Sequence, residues 1–160
     1  MTTKEPIKLR IKYFEGATKL KQKAIGKWID VYARKDVFVK EGEMAKVPLG
    51  FALELPKDYE GHLAPRSSTF KTWGVIQTNS VGVVDDTYIG DNDEWLMPVY
   101  CLKGKDEILE GTGKCKGTMV HQGDKIGQFR IMESMPLLIF DEVETFGNKD
   151  RGGFGTTGER

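Results

Sequence analysis

The chain has 160 residues, with 24 Lys and Arg balanced by 24 Asp and Glu, so its formal net charge is zero. That length suits one domain, and the zero charge argues against a nucleic-acid or membrane-surface binder, because both partners select an excess of cations. Two cysteines exclude a disulfide scaffold. The N-terminus lacks the apolar core of a signal peptide, so we expect a cytoplasmic protein.

The apolar residues follow the pattern of short strands. Residues 7–13 alternate between apolar and cationic side chains, which predicts a half-buried strand. Further β-rich runs follow at residues 28–33, 37–39, 47–55, 74–78, 95–102, 126–132 and 137–143. Turn-forming residues, including 19 glycines, separate them. Residues 68–73 have room for one helical turn at most, so we predict an all-β antiparallel sandwich or barrel.

Two segments depart from this pattern. Residues 103–121 are polar with Gly-Thr-Gly near the centre, which predicts a projecting hairpin. Residues 149–160 contain four glycines and one phenylalanine, too little apolar surface to fold alone. We therefore divide the chain into a β domain, residues 1–148, and a mobile tail, residues 149–160.

One polar block has the composition of a phosphate site. Residues 65–68, Pro-Arg-Ser-Ser, place a cation beside two hydroxyls at the start of the expected helical turn. An arginine fork and exposed backbone N–H groups bind phosphate oxygens; the alternative is an ordinary helix N-cap after a proline. Further along, Gln128 is a lone amide in a strand-like run, for which a structural hydrogen bond is the default interpretation.

A second block, residues 79–91, contains candidate catalytic groups. Asp85 closes an apolar Val-Val run, where we expect desolvation to raise its pKa toward the working range of a general base. Tyr88 is suited to packing against a sugar ring; the alternative is a hairpin turn with ordinary turn acids. The tail, residues 151–158, resembles a phosphate-cradling loop, although it lacks the GxxxxGK[ST] order of a P-loop.

Taken in order, these blocks resemble the trimeric dUTPase family across nearly the whole chain. That family has five ordered motifs, with counterparts here at Asp30, Arg66-Ser67-Ser68, residues 79–90, residues 123–128 and residues 151–158. The third is the most specific, because its Asp-x-x-Tyr-x-Gly element carries an asparagine six residues upstream. The Phe-Gly-Thr-Thr-Gly of the tail reinforces the resemblance.

The resemblance implies a dUTP diphosphatase that hydrolyses dUTP to dUMP and diphosphate with Mg²⁺. The implied fold is a jelly-roll-like β-barrel, assembled as a homotrimer with shared active sites, and neither nucleic acid nor a membrane is an expected partner. Asp85 would deprotonate the attacking water, with Ser67 and Arg66 completing the catalytic group. Substrate binding would fall to Ser68, Asn79, Gly82, Val84, Tyr88, Gln128, Arg151, Phe154, Gly155, Thr156 and Thr157.

Metal binding and the tail also follow from the resemblance. Asp30 would reach Mg²⁺ only through water, the ion being held mainly by the triphosphate. Phe154 would stack on uracil as the tail closes over the site. The family's tail arginine commonly precedes its phenylalanine by five residues, whereas here Lys149 holds that place and Arg151 lies three before. We favour Arg151 for the γ-phosphate, since a guanidinium fork grips phosphate oxygens better than an ammonium.

Two other functions fit parts of the pattern. A dCTP deaminase of the same fold also carries Arg-Ser-Ser, but its pocket glutamate would fall at position 95, which is Trp, and Glu94 lies one register away. A nucleotide-responsive regulatory protein is the second alternative, with the 103–121 hairpin as a docking surface.

Overall fold

Short strands joined by tight turns make up most of the chain, as its many glycines predict. The structure, a computed structural model, describes residues 4–111 and 113–154. Its elements are β1 (Arg10–Tyr13), β2 (Ile29–Tyr32), β3 (Val37–Lys40), β4 (Met44–Pro48), β5 (Phe51–Glu54), β6 (Tyr59–Pro65), α1 (Thr69–Trp73), β7 (Val75–Gln77), β8 (Gly82–Val84), β9 (Leu96–Cys101), β10 (Lys105–Leu109), β11 (Gly113–Val120) and β12 (Lys125–Glu133). The prediction of an all-β fold is confirmed.

The strands form four antiparallel sheets around one apolar core. Their orders are β1-β5, β10-β11-β3, β2-β12-β6-β8 and β4-β9-β7. At the centre, the rings of Phe51, Trp95 and Phe129 lie with centroids 5.1 to 5.7 Å apart. Gly61 on β6 leaves room for the Trp95 indole, because a Cβ there would collide with the edge of that ring. The aromatic cluster therefore anchors the sheet that carries the candidate site.

The β2-β12-β6-β8 sheet positions several predicted site residues. Gln128 on β12 lies opposite Asp30 on β2 and, on its other side, opposite Ala64 on β6. β6 then ends at Pro65, which begins the Arg-Ser-Ser block. β8 pairs with β6 through Leu63 and Gly82 and forms the edge of the sheet. Four of the five motifs thus lie on neighbouring strands of one sheet or directly after one of them.

Most of the predicted strands occur, with three differences. The run at residues 47–55 divides into β4 and β5, because Gly50 adopts a φ of +82° and reverses the chain. β6 and β8 were not expected from the sequence pattern. The predicted strand at residues 137–143 is wrong, since residues 134–154 contain neither strand nor helix. There Leu137, Ile139 and Phe140 are about nine-tenths exposed, at 93%, 89% and 90%.

The predicted hairpin at residues 103–121 is formed by β10 and β11. Its inner end, residues 117–120, also pairs with β3 and buries Thr118 and Val120. The outer end projects, with Ile108 at its exposed surface. Within the residues described, no helix has the length and apolar composition needed to cross a membrane.

Candidate active site

The Arg-Ser-Ser block lies in a turn that is fastened to the barrel. The Arg66 N–H donates to the Thr69 hydroxyl at 2.8 Å, and the buried hydroxyl donates in turn to the Ile126 carbonyl at 3.0 Å. Ser68 holds the N-cap position of α1, yet its side chain caps no backbone N–H. Instead its hydroxyl accepts from the Arg66 guanidinium at 3.3 Å. The turn presents Ser67 to solvent, and the alternative of an ordinary helix N-cap is not realised by the Ser68 side chain.

Asp30 gathers three cations beside this turn. Its carboxylate lies 3.0 Å from Arg66 Nε, 3.2 Å from Lys23 Nζ and 4.0 Å from Lys125 Nζ. We call these four residues the Asp30 cluster. One carboxylate does not neutralise three cations, so the cluster has a net positive charge suited to a polyanion. Gln128 adjoins it and donates to the Pro65 carbonyl at 3.1 Å, which is the structural hydrogen bond expected of an inward amide.

The turn that joins β7 to β8 precedes Asp85 and is held by side-chain amides; β7 pairs with β9 and β8 with β6, so the two strands form no hairpin. Gln77 Nε2 donates to the Leu63 carbonyl at 3.0 Å and to Asn79 Oδ1 at 2.9 Å. Gly82 packs closely against this arrangement, because a Cβ at that position would lie 3.2 Å from Leu63 Cβ and 3.3 Å from Gln77 Nε2. Asn79 and Gly82 are therefore packed around the Gln77 amide at the edge of the sheet.

A cavity of about 340 Å³ opens beside β8 and the segment that follows it. Its lining is Leu63, Asn79, Gly82, Val83, Val84, Asp85, Thr87, Tyr88, Glu94, Trp95 and Leu96. Five predicted site residues are thus brought together: Asn79, Gly82, Val84, Asp85 and Tyr88. The volume falls within the range of small-molecule sites. A separate groove has Lys8, Arg10 and Lys57 in its lining. It contains none of the predicted site residues.

The pKa of Asp85 is lowered, whereas the sequence predicted that it would be raised. The Thr87 hydroxyl and, at 2.8 Å, the Thr87 N–H both donate to Asp85 Oδ1. These hydrogen bonds stabilise the charged carboxylate and lower the pKa of Asp85, and the opposing effect of burial is smaller. The expectation that desolvation raises this pKa is therefore wrong for the chain, since the side chain is exposed at the mouth of the cavity.

Tyr88 is held by its hydroxyl. That group donates to the main-chain carbonyl of Glu94 at 2.8 Å, and the pKa of Tyr88 is raised by burial and by the nearby charges of Asp93 and Glu94. Since Tyr88 is 38% exposed, a large part of it remains accessible to a bound molecule. Glu94 itself is engaged by Arg34 and by the Gly50 N–H.

The tail residues are not brought to the cavity or to the Asp30 cluster. Arg151 and Phe154 are exposed, and neither lines the cavity. The predicted contacts from Gly155, Thr156 and Thr157 lie outside the described residues, so they stay predictions. The tail therefore contributes nothing to the site within the part of the chain that the structure describes.

The protein offers no metal cage of its own among residues 4–111 and 113–154, where no group of three or more His, Cys, Asp or Glu side chains could hold an ion. Asp30 already faces cations at both carboxylate oxygens. These residues fit a Mg²⁺ ion carried by phosphate oxygens and water, which requires little from protein carboxylates.

Sequence reasoning missed residues that act through others. Thr87 had a local signal, because an aspartate in a turn commonly accepts the backbone N–H two residues further on. Lys23 and the Arg34–Glu94 pair had none, since each pairs with a residue brought near by the fold rather than by sequence.

Comparisons with known proteins bear on this arrangement. A family model described as dUTPase matches residues 18–95. The SPbeta prophage-derived deoxyuridine 5'-triphosphate nucleotidohydrolase YosS of Bacillus subtilis (strain 168) is 46% identical over 155 residues, which cover 96% of this chain and 100% of that protein.

Solved structures agree on the fold. A mutant of the Staphylococcus bacteriophage 80alpha dUTPase with dUpNHpp matches with a TM-score of 0.74 and 17% identity over 94% of this chain and 98% of that one. A mutant dUTPase from phage phi11 of S. aureus, described with a structural Mg(II) ion, matches with a TM-score of 0.70 and 18% identity over 88% and 99%. These likenesses confirm the predicted jelly-roll-like barrel, and together with the identity to YosS they show that this chain belongs to the dUTPase family.

Proposed function

We propose that the protein is a dUTP diphosphatase, which hydrolyses dUTP to dUMP and diphosphate. The observation that carries this proposal is the cavity of about 340 Å³ with Asp85 and Tyr88 in its lining. β6 links this cavity to the cationic turn, because Leu63 lines the cavity and Arg66 follows the end of the same strand. A nucleoside pocket and a polyanion site are thus adjacent, as a nucleoside triphosphate requires.

The uracil base is recognised by the sheet edge that β8 forms. β8 is an edge strand, so the backbone N–H and C=O groups of residues 82–84 that face away from β6 are available to pair with uracil. Cytosine presents an amino donor at position 4 where uracil presents an acceptor, so the same backbone rejects it. Tyr88 lies under the deoxyribose, where a 2′-hydroxyl would collide with the ring.

Hydrolysis proceeds by attack of water on the α-phosphorus. Asp85 orients the water and accepts its proton, while the water oxygen bonds to phosphorus and the bond to the α–β bridging oxygen breaks. The electron pair leaves with diphosphate, to which Ser67 donates a hydrogen bond. Arg66, Ser68 and Gln128 hold the phosphate chain, and Asp30 keeps Arg66 oriented. Mg²⁺, if carried by the substrate phosphates, would supply neutralisation of the charge that develops on them.

We assign residues 149–160 the role of a lid on the 1–148 domain. The support is their composition and the absence of strand or helix at residues 149–154. Phe154 stacks on the base when the lid closes, and Arg151, Gly155, Thr156 and Thr157 wrap the phosphates. Closure would exclude water and complete the set of phosphate contacts.

Asp85 ionisation sets the acid limb of the pH profile. The ordinary pKa of an aspartate is about 4. Because the pKa of Asp85 is lowered, its carboxylate stays charged to a lower pH than an ordinary aspartate does. Replacing Thr87 with Val removes one hydrogen bond to the carboxylate, so we expect the pKa to rise and the acid limb of kcat to move to higher pH. Thr78→Val, in the turn between β7 and β8, is the matched control. An unchanged limb in Thr87→Val would contradict the assignment.

We propose that three copies assemble and share their sites. The support is the exposed apolar surface of the single chain. Leu137, Ile139 and Phe140 project from an extended segment, and the outer face of the β4-β9-β7 sheet aligns Met44, Tyr100 and Ile76 across its strands. Contiguous exposed apolar surface of this kind marks an association site.

Shared sites predict rescue between two inactive variants. Asp85→Asn lacks the base, and a chain ending at residue 148 lacks the lid. If the base and lid of one site come from different subunits, co-refolding equal amounts restores about a quarter of wild-type activity. A sedimenting species of three 18.0 kDa chains is expected alongside. A fully active monomer, or no rescue in mixed trimers, would contradict the proposal.

The deaminase alternative loses its candidate base. Both carboxylate oxygens of Glu94 are held by Arg34, at 2.7 and 3.1 Å, so this group is not free to accept a proton from water. Incubation with dCTP and dUTP separately distinguishes the two reactions. We expect diphosphate from dUTP and no ammonia from dCTP, and ammonia release would overturn the proposed function.

A further inference from the structure

Arg34 and Glu94 form a forked ion pair beside the cavity, which Glu94 helps to line. Arg34 Nε lies 2.7 Å from Glu94 Oε2 and the Arg34 Nη2 lies 3.1 Å from Oε1. The Gly50 N–H also donates to Oε2, at 2.9 Å. The side chains are only 26% and 12% exposed, and the Arg34 N–H is tied to the Pro48 carbonyl at 3.0 Å. Three donors therefore fix one carboxylate against the barrel.

This pair holds the backbone to which Tyr88 is attached. The Tyr88 hydroxyl donates to the Glu94 carbonyl at 2.8 Å. The next residue, Trp95, is fastened to β5 by its N–H, which donates to the Phe51 carbonyl at 2.9 Å. The Glu94 carbonyl is consequently held on one side by the ion pair and on the other by the core. The hydroxyl end of Tyr88 is therefore hydrogen-bonded to a carbonyl that is itself held in place.

We infer that the Arg34–Glu94 pair positions the Tyr88 ring and so sets the discrimination between deoxyribose and ribose triphosphates. The inference rests on the proposed function and deepens it, because it adds two positioning residues outside the five motifs. A steric filter works only while its wall stays in place, and a shift of about 1 Å changes reactivity greatly. Arg34 does not line the cavity, and Glu94 lines it beside Tyr88 with its carboxylate held by Arg34, so we assign both the role of placing Tyr88.

The test compares selectivity in four proteins. The measured quantity is the ratio of kcat/KM for dUTP to kcat/KM for UTP. Arg34→Ala is expected to lower this ratio about tenfold, through a gain with UTP rather than a loss with dUTP. Arg34→Lys, which keeps the charge without the fork, lowers it less. Tyr88→Phe keeps the ring but removes the hydroxyl, and it lowers the ratio as Arg34→Ala does.

The double variant separates positioning from general weakening. Because Arg34 and the Tyr88 hydroxyl act through the same carbonyl, combining Arg34→Ala with Tyr88→Phe lowers the ratio no further than the larger single effect. Val120→Ala, a buried change on β11, is the control for lost stability, and its ratio stays at the wild-type value. An unchanged ratio in Arg34→Ala, or additive single effects, overturns the inference.

A binding measurement keeps the inference independent of turnover. Calorimetry with the α,β-imido analogues of dUTP and UTP gives the ratio of their Kd values, and the same order among the variants is expected. A wild-type protein that binds both analogues but hydrolyses neither nucleotide would refute the proposed function while the Kd ratio still decides this inference. Should Arg34→Ala fail to fold, Tyr88→Phe alone decides the inference. An unchanged Kd ratio in Tyr88→Phe would show that the hydrogen bond to the Glu94 carbonyl does not position the ring, and would overturn the inference.

Discussion

Replacing Asp85 with Asn is expected to lower kcat for dUTP by about 10³-fold, because the positioned general base is lost. Asparagine keeps the shape of the side chain and can still accept the hydrogen bonds from Thr87. The Kd of the substrate should therefore change by less than about threefold, well under 1 kcal/mol. Stopped-flow measurement of diphosphate release and calorimetry with the α,β-imido analogue check the two expectations.

Asp86→Asn is the matched control for this change. Asp86 is the neighbouring acid, but its carboxylate accepts a hydrogen bond from the Asp58 N–H. It lines the separate groove rather than the cavity. Its kcat should stay near the wild-type value. An undiminished rate in Asp85→Asn, or an equal loss in Asp86→Asn, would remove the mechanism proposed here.

Replacing Arg66 with Ala is expected to lower kcat/KM for dUTP by about 10²-fold. The guanidinium lies between Asp30 and Ser68, so its loss removes charge-assisted hydrogen bonds to phosphate, worth about 1.5–3 kcal/mol each, and also leaves the Asp30 carboxylate less compensated. Arg66→Lys restores the charge without the planar fork, and we expect an intermediate loss. Steady-state kinetics on all three proteins measure the series.

The Arg66 prediction needs a test of folding. The backbone of the turn is held by Thr69 rather than by the arginine side chain, so the thermal unfolding midpoint should fall only slightly. Lys125→Ala, which removes the most distant cation of the Asp30 cluster, is expected to lose less activity than Arg66→Ala. Equal losses in these two variants would show that bulk charge, and not the fork, binds the phosphates.

Local patterns were sufficient for the strands that bury one face or bear several apolar residues. β2, β9 and β12 follow the apolar runs that predicted them. β6 escaped notice because Gly61, His62 and Pro65 break its pattern, and only the fold shows that Gly61 makes room for Trp95. The run at residues 137–143 has strand composition, but among the described residues it pairs with no other strand of the chain.

The site was predictable where motifs are local and not where they depend on folding. Asp85, Tyr88 and the Arg-Ser-Ser block were predicted from residues adjacent in sequence, and the first two line one cavity. The pKa of Asp85 was misjudged because apolar neighbours suggested burial, whereas the Thr87 hydrogen bonds and solvent determine its ionisation. The Arg34–Glu94 pair joins residues 60 positions apart, a separation that no local pattern reports.

Hydrolysis in water enriched with ¹⁸O tests the central claim most directly. If water positioned by Asp85 attacks the α-phosphorus of dUTP, one heavy oxygen enters dUMP and none enters diphosphate during a single turnover. Mass spectrometry of the separated products measures this distribution. Label in diphosphate would place the attack on the β-phosphorus and contradict the mechanism.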